Sequence, residues 1–178
     1  ALKLSASRKQ AASKLNKAIT GAMQTLGMKG GRFLIEVSSK GNTPVIHGID
    51  KIEFTVSANA GQACKPLARV ASGGELARIS LAIQMITAAQ CRIPTMIFDE
   101  VDSGVGGGIA EIVGKQLRLL GKTNQVICIT HLPQVASQAH QHLRVQKKSA
   151  RKQTQTNVYP LNNNERIEEI ARMLSGVE

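Results

Sequence analysis

Ser72-Gly73-Gly74-Glu75 stands where a helical pattern begins, and a later apolar run ends in Asp99-Glu100. Two glycines permit close backbone approach, and the first-turn N–H groups of a helix have no intrahelical partner. The helix dipole adds partial positive charge at the same place, so a phosphate can dock there with help from the Ser72 hydroxyl. Ordinary capping explains the same residues: Ser72 suits an N-cap, and Glu75 completes a capping box. A carboxylate pair at the end of a buried strand has its own chemistry. Asp99 can hold magnesium, and Glu100 can act as a general base that orients water for phosphoryl transfer. The alternative for this pair is two acids facing solvent at the start of a loop.

Two further places bear on the same chemistry. His131 follows the apolar run Val126-Ile127-Cys128-Ile129-Thr130 and could reach the terminal phosphate of a nucleotide. Its plainer reading is a histidine bonded to backbone. Asp102-Ser103-Gly104 lies in a glycine-rich loop just beyond the carboxylates, where close approach to a neighbouring subunit is possible. His140 and His142 would share a strand face, but no third metal ligand accompanies them. The chain contains no G-x-x-x-x-G-K-S/T loop to carry a nucleotide, so it reads as half of a hydrolytic site.

The elements that must position these residues follow from periodicity. Leu4, Ala11, Leu15, Ile19, Met23 and Leu26 form an apolar stripe, predicting a helix over 2–27 that Gly27 and Gly30-Gly31 end. Its basic outer face suits the base of a coiled coil. Phe33, Ile35 and Val37 alternate, as do Ile52, Phe54 and Val56, predicting two antiparallel strands. From Ser72 the pattern turns to alternating helix and strand. Helices are expected to about residue 90, over 109–120, over 132–138 and over 163–174. Buried strands are expected over 95–98 and 126–129, and edge strands over 143–146 and 154–161 flank a basic turn. Continuous apolar strands between helices imply a parallel sheet.

Composition limits the alternatives. With 178 residues and 42% hydrophobic content the chain suits one domain, and only 2% aromatics make the core aliphatic. Few aromatics disfavour base stacking on Phe, Tyr or Trp. No apolar stretch approaches the span of a bilayer, no secretory signal is visible, and Cys64, Cys91 and Cys128 fit reduced cytosolic thiols. No membrane partner is therefore expected. The net charge of +11 is concentrated in residues 1–32, which carry no acid, and around Lys147, Lys148, Arg151 and Lys152. Such clusters favour a polyanion, nucleic acid above all, through phosphate contacts, with Arg8 and Lys9 among the basic residues at the amino end. A missing acidic partner segment would balance the charge equally well.

Taken in order, Ala71-Ser72-Gly73-Gly74-Glu75-Leu76-Ala77-Arg78 resembles the signature motif of ABC-type ATPases. Met96-Ile97-Phe98-Asp99-Glu100 resembles Walker B, Val101-Asp102-Ser103-Gly104 the D-loop, and Ile129-Thr130-His131 the switch histidine. The finer wording of these motifs is similar to DNA-repair members of the SMC-like branch. The resemblance implies an α/β fold: the C-terminal lobe of an ABC-type (P-loop NTPase) head, with a parallel sheet, a small antiparallel part and a coiled-coil base. Residues 1–27 would be that base and 28–178 the lobe. It implies ATP and Mg2+ as ligands and an N-terminal lobe that carries Walker A. It also implies a second head, in a homodimer that engages head to tail. In that arrangement Asp99 holds the metal, and Glu100 and His131 act on the head's own nucleotide. Ser72, Gly73, Gly74 and Glu75 meet the neighbour's nucleotide, and Asp102 couples the two. The implied role is ATP-dependent DNA binding or tethering in double-strand break repair, in the cytoplasm at the nucleoid. Two other readings stay open: a non-catalytic interaction module using the signature surface, and an ABC subunit of another system. Transporter heads, however, carry Walker A in one continuous domain.

Overall fold

The computed structural model describes residues 1–39, 46–69, 72–87, 93–150 and 153–176. Helix α1 (Leu2–Thr25) leads into an antiparallel sheet of β1 (Arg32–Ser39), β2 (Asp50–Ser57) and the short β3 (Lys65–Pro66). A 3-10 turn (Leu67–Arg69) precedes α2 (Gly73–Thr87). Next come β4 (Thr95–Phe98), α3 (Gly107–Leu120), β5 (Gln125–Cys128) and α4 (Pro133–Ala136). An antiparallel hairpin, β6 (Leu143–Ala150) and β7 (Gln153–Pro160), and helix α5 (Asn163–Ser175) complete the order.

The first helix ends two residues early, where Gly27 takes a left-handed φ of 86°. Its apolar stripe is also offset at the start. Leu4 and Ala11 are exposed, while Ser5 and Ala12 face inward. The cause is polar: the Ser5 hydroxyl donates to Asp50 at 2.7 Å, and Arg8 pairs with the same carboxylate at 3.1 Å. Farther along, Ile19, Met23 and Leu26 are buried as the stripe requires.

Strands β1 and β2 pair Phe33 with Val56 and Ile35 with Phe54. Phe33 and Val56 are buried, and α1 lies against β1. Asn16 and Thr20 of α1 accept the backbone N–H groups of Ile35 and Phe33 at 2.8 and 3.0 Å. The helix therefore covers this strand by side-chain hydrogen bonds as well as by apolar contact.

Strands β4 and β5 are parallel, with Phe98 opposite Cys128 and α3 as their crossover. Parallel neighbours need such a connection because a tight turn cannot reverse the chain direction twice. Met96 and Phe98 point into a largely aliphatic core with Ile79, Leu81, Val101, Val113 and Leu117. Both strands thus bring their C-terminal ends to one edge.

The hairpin extends beyond its expected bounds. β6 continues through Lys147 and Lys148, so these lysines belong to a strand rather than to a turn. Helix α5 starts at a complete capping box: the Glu165 N–H donates to Asn162 Oδ1, and the Asn162 N–H donates back to the Glu165 carboxylate.

Candidate active site at the ends of the parallel strands

Ser72 caps α2. Its carbonyl accepts the first helical bond from Leu76 at 3.0 Å, and its hydroxyl accepts the Glu75 N–H at 3.4 Å. The forward half of the expected capping box is therefore present. Ser72 and Gly73 are exposed, whereas Gly74 is buried. A Cβ on Gly73 would come within 2.5 Å of Glu100 Oε2, and one on Gly74 within 2.8 Å of the Ser103 carbonyl. The two glycines thus let the loop after β4 lie directly against the start of α2.

Asp99 and Glu100 leave β4 exposed to solvent. Glu100 has a left-handed φ of 58°, unlike any other non-glycine residue described. Such a conformation costs about 1–3 kcal/mol and persists only where surrounding contacts enforce it. Those contacts are visible. The Ser103 N–H donates to the Glu100 carbonyl at 3.0 Å, and the Val105 N–H to the Asp102 carbonyl at 3.3 Å. Asp102 is 2% exposed and accepts the Thr130 hydroxyl. On the other side of the loop, Arg78 Nη1 donates to the Ser103 carbonyl at 2.6 Å.

His131 is largely exposed, and its Nδ1 lies 3.7 Å from the Asp102 carboxylate. Thr130 Oγ1 also accepts the Leu132 N–H at 3.0 Å, which fixes the turn out of β5. The structure therefore gathers Ser72, Gly73, Glu100, Asp102 and His131 from three separate turns. Burial pushes the Cys128 thiol up to about 12, with Asp102 and Asp99 adding to the effect, so it stays neutral and unreactive. Thr130 and Arg78 lie within the motifs but carry no local signal of a role. Thr130 stands just past the half-buried β5, where the chain becomes polar; Arg78 lies one turn after the glycines, on the inner face of α2.

The remaining candidates fall elsewhere. Glu75 is half-buried on α2. Lys147 is exposed on β6 opposite Thr156, and Lys148 stands opposite Gln155, while Arg151 and Lys152 lie outside the described residues. Lys9 is exposed on α1, but Arg8 is engaged by Asp50. Burial and the nearby Arg166 lower the His142 pKa, and His140 is exposed. Among the described residues no group of three His, Cys, Asp or Glu side chains could hold a metal.

That donor set still suits magnesium of one kind. Mg2+ commonly keeps several waters and binds through one or two carboxylates plus substrate phosphates. The exposed Asp99 carboxylate fits that partial role, with Glu100 beside it.

No family model matches the chain. Curated relatives do. Over 98% of its length the chain is 49% identical to the DNA repair protein RecN of Xylella fastidiosa strain 9a5c, covering 32% of that protein. It is 45% identical to the DNA repair protein RecN of Haemophilus influenzae over 98% of its length, covering 31% of that protein. Among solved structures it is similar to an Smc head domain with a coiled coil and joint from Pyrococcus yayanosii. The TM-score there is 0.65 at 21% identity, over 93% of this chain and 29% of the other. A chain from structural work on ATP-driven dimerization and DNA-stimulated activation of SMC ATPases matches with a TM-score of 0.57 at 18% identity. That match covers 96% of this chain and 97% of the other. The fold is thus that of an SMC head domain. The chain spans about a third of the length of these relatives, and over that third it is similar to the RecN DNA repair proteins along nearly its whole length.

Proposed function

We propose that the chain is the C-terminal lobe of a RecN-type ATPase head that works in DNA double-strand break repair. The observation that carries this reading is the convergence of three sequence-distant turns. The glycine start of α2, the carboxylates after β4 and His131 after β5 meet around Asp102. Curated relatives are named DNA repair proteins, which supports the process.

In this reading Asp99 would hold Mg2+, which supplies charge neutralisation on the phosphates when bound. Glu100 accepts a proton from the attacking water as its oxygen bonds to the γ-phosphorus and the bond to the β-phosphate oxygen breaks. ADP and phosphate are the products. His131, steadied by Asp102, hydrogen-bonds the γ-phosphate. Ser72, Gly73 and Gly74 serve a nucleotide carried by a second head in a homodimer, with the Glu75 N–H held by the Ser72 hydroxyl. For that turn to admit a phosphate, the Glu100 side chain must move off Gly73. Walker A comes from the N-terminal lobe of the same protein, and head engagement is transmitted through α1 to the coiled coil. DNA contacts are assigned to Lys147, Lys148, Arg151, Lys152 and Lys9, all through phosphates and thus independent of sequence. Arg8 ranks below them because Asp50 already neutralises it. A cytoplasmic, nucleoid-associated location follows from the same reading.

ATP turnover separates this proposal from a non-catalytic module. The isolated chain, which contains no Walker A loop, is expected to show negligible hydrolysis, and the complete protein measurable hydrolysis. Efficient turnover by the isolated chain, or none by the complete protein, would refute it.

A further inference from the structure

Arg78 is a cation in an unusual place. It sits one turn into α2, is only 8% exposed, and forms no ion pair among the described residues. Its Nε is buried without a hydrogen-bond partner among those residues. Burial lowers its pKa, partly offset by the Glu75 carboxylate on the same helix. Long cationic side chains are rarely buried unless something holds them. Here the specific contact is the 2.6 Å bond from Nη1 to the Ser103 carbonyl.

That carbonyl is the pivot of the loop. Ser103 closes the turn begun by the left-handed Glu100, and the next acid back, Asp102, is anchored by Thr130 in the turn out of β5. The loop therefore has two tethers, one to that turn and one to α2. Gly74 brings α2 close enough for the second, since a Cβ there would strike the Ser103 carbonyl at 2.8 Å and its Cβ at 2.9 Å. Among the described residues, the Arg78 bond is the side-chain hydrogen bond that joins this loop to α2.

We propose that Arg78 is the positioning residue that locks the loop of Glu100 and Asp102 to the glycine turn of α2, so that both move as one rigid unit. This rests on the ATPase reading for its effect on rate, but not for its effect on the loop. A ligand drawn to the glycine turn displaces the Glu100 side chain from Gly73 directly and would then also shift the Glu100 backbone through Arg78 and Ser103. Arg78 meets no reacting atom itself; it acts through the Ser103 carbonyl.

The test uses the complete protein with Arg78→Met, which keeps an apolar stem of similar bulk, and Arg78→Lys, which keeps a donor. Amide exchange at Ser103 and Val105 is expected to quicken by about tenfold or more in Arg78→Met while α3 and β5 stay protected. In ATP hydrolysis kcat should fall about tenfold with KM within about twofold, because the loss concerns alignment rather than binding. Arg78→Lys should lie between wild type and Arg78→Met in both measurements. Unchanged exchange in both variants, or a loss of kcat matched by an equal rise in KM, would overturn the proposal. A wild-type protein that hydrolyses no ATP would strike the ATPase reading instead, and the exchange rates would still decide the role of Arg78.

Discussion

Gly73 and Gly74 are adjacent in sequence but differ in what stands against them. Gly73 faces the end of the flexible Glu100 side chain, which can swing into solvent, whereas Gly74 faces the Ser103 backbone. A methyl group at 74 must displace a loop tethered at both ends. Gly74→Ala is therefore expected to cost about 1–3 kcal/mol, less up to about 1 kcal/mol gained from helix preference. Gly73→Ala should change stability by no more than about 0.5 kcal/mol. Thermal unfolding of the complete protein checks both, and equal effects would contradict the asymmetry. The types at 72–75 and 99–102 were legible in the sequence because few other chemistries use them together. The contact between Glu100 and Gly73 was not, since no local pattern encodes which side chain a distant loop lays on a helix start.

The elements were legible where one periodicity dominated. The apolar runs of β4 and β5 and the stripe through Ile19, Met23 and Leu26 gave their elements directly. Legibility failed at the amino end of α1, where Leu4 looked like a core residue. There Asp50, with its side chain only 1% exposed, draws Ser5 and Arg8 inward, and Ser39 adds a bond at 3.2 Å. A tertiary carboxylate thus outweighs the local stripe. The hairpin was misjudged for a related reason: the Lys147-Lys148 pair reads as a turn by polarity, yet both lysines sit in the β6 ladder. The Ser5 hydroxyl, then Arg8 and Ser39, hold the Asp50 carboxyl below its ordinary value, against the opposing effect of burial. The carboxylate is favoured in the folded state, so its contribution is complete above the unfolded value of 3.8 and is lost as pH falls through the folded one. Asp50→Asn should accordingly lower the unfolding midpoint by a constant amount near neutral pH, and the difference should shrink below about pH 4. A difference that persists undiminished in acid would show that the carboxylate charge is not what ties α1 to the sheet.

At the scale of the molecule, composition announced a largely aliphatic core, and one is present around Met23, Ile79, Leu81, Val101 and Val113. What it could not show is how much apolar surface one lobe leaves uncovered. Ile97 alternates with the buried Met96 and Phe98 of β4, and Ile127 and Ile129 alternate with the half-buried Val126 and Cys128; the three isoleucines remain 67%, 43% and 54% exposed. Strands of a parallel sheet are ordinarily covered on both faces. The curated relatives are about three times as long as this chain, and the proposed N-terminal lobe would supply the rest of the sheet. No helix among the described residues is long and apolar enough to cross a membrane. In the proposed function, hydrolysis depends on the Glu100 carboxylate in a site completed by the N-terminal lobe. The most direct measurement is ATP turnover and nucleotide binding by Glu100→Gln in the complete protein. The role proposed for Glu100 predicts retained ATP binding, hydrolysis reduced by about a hundredfold or more, and heads trapped as ATP-bound dimers. Wild-type hydrolysis by Glu100→Gln would contradict it.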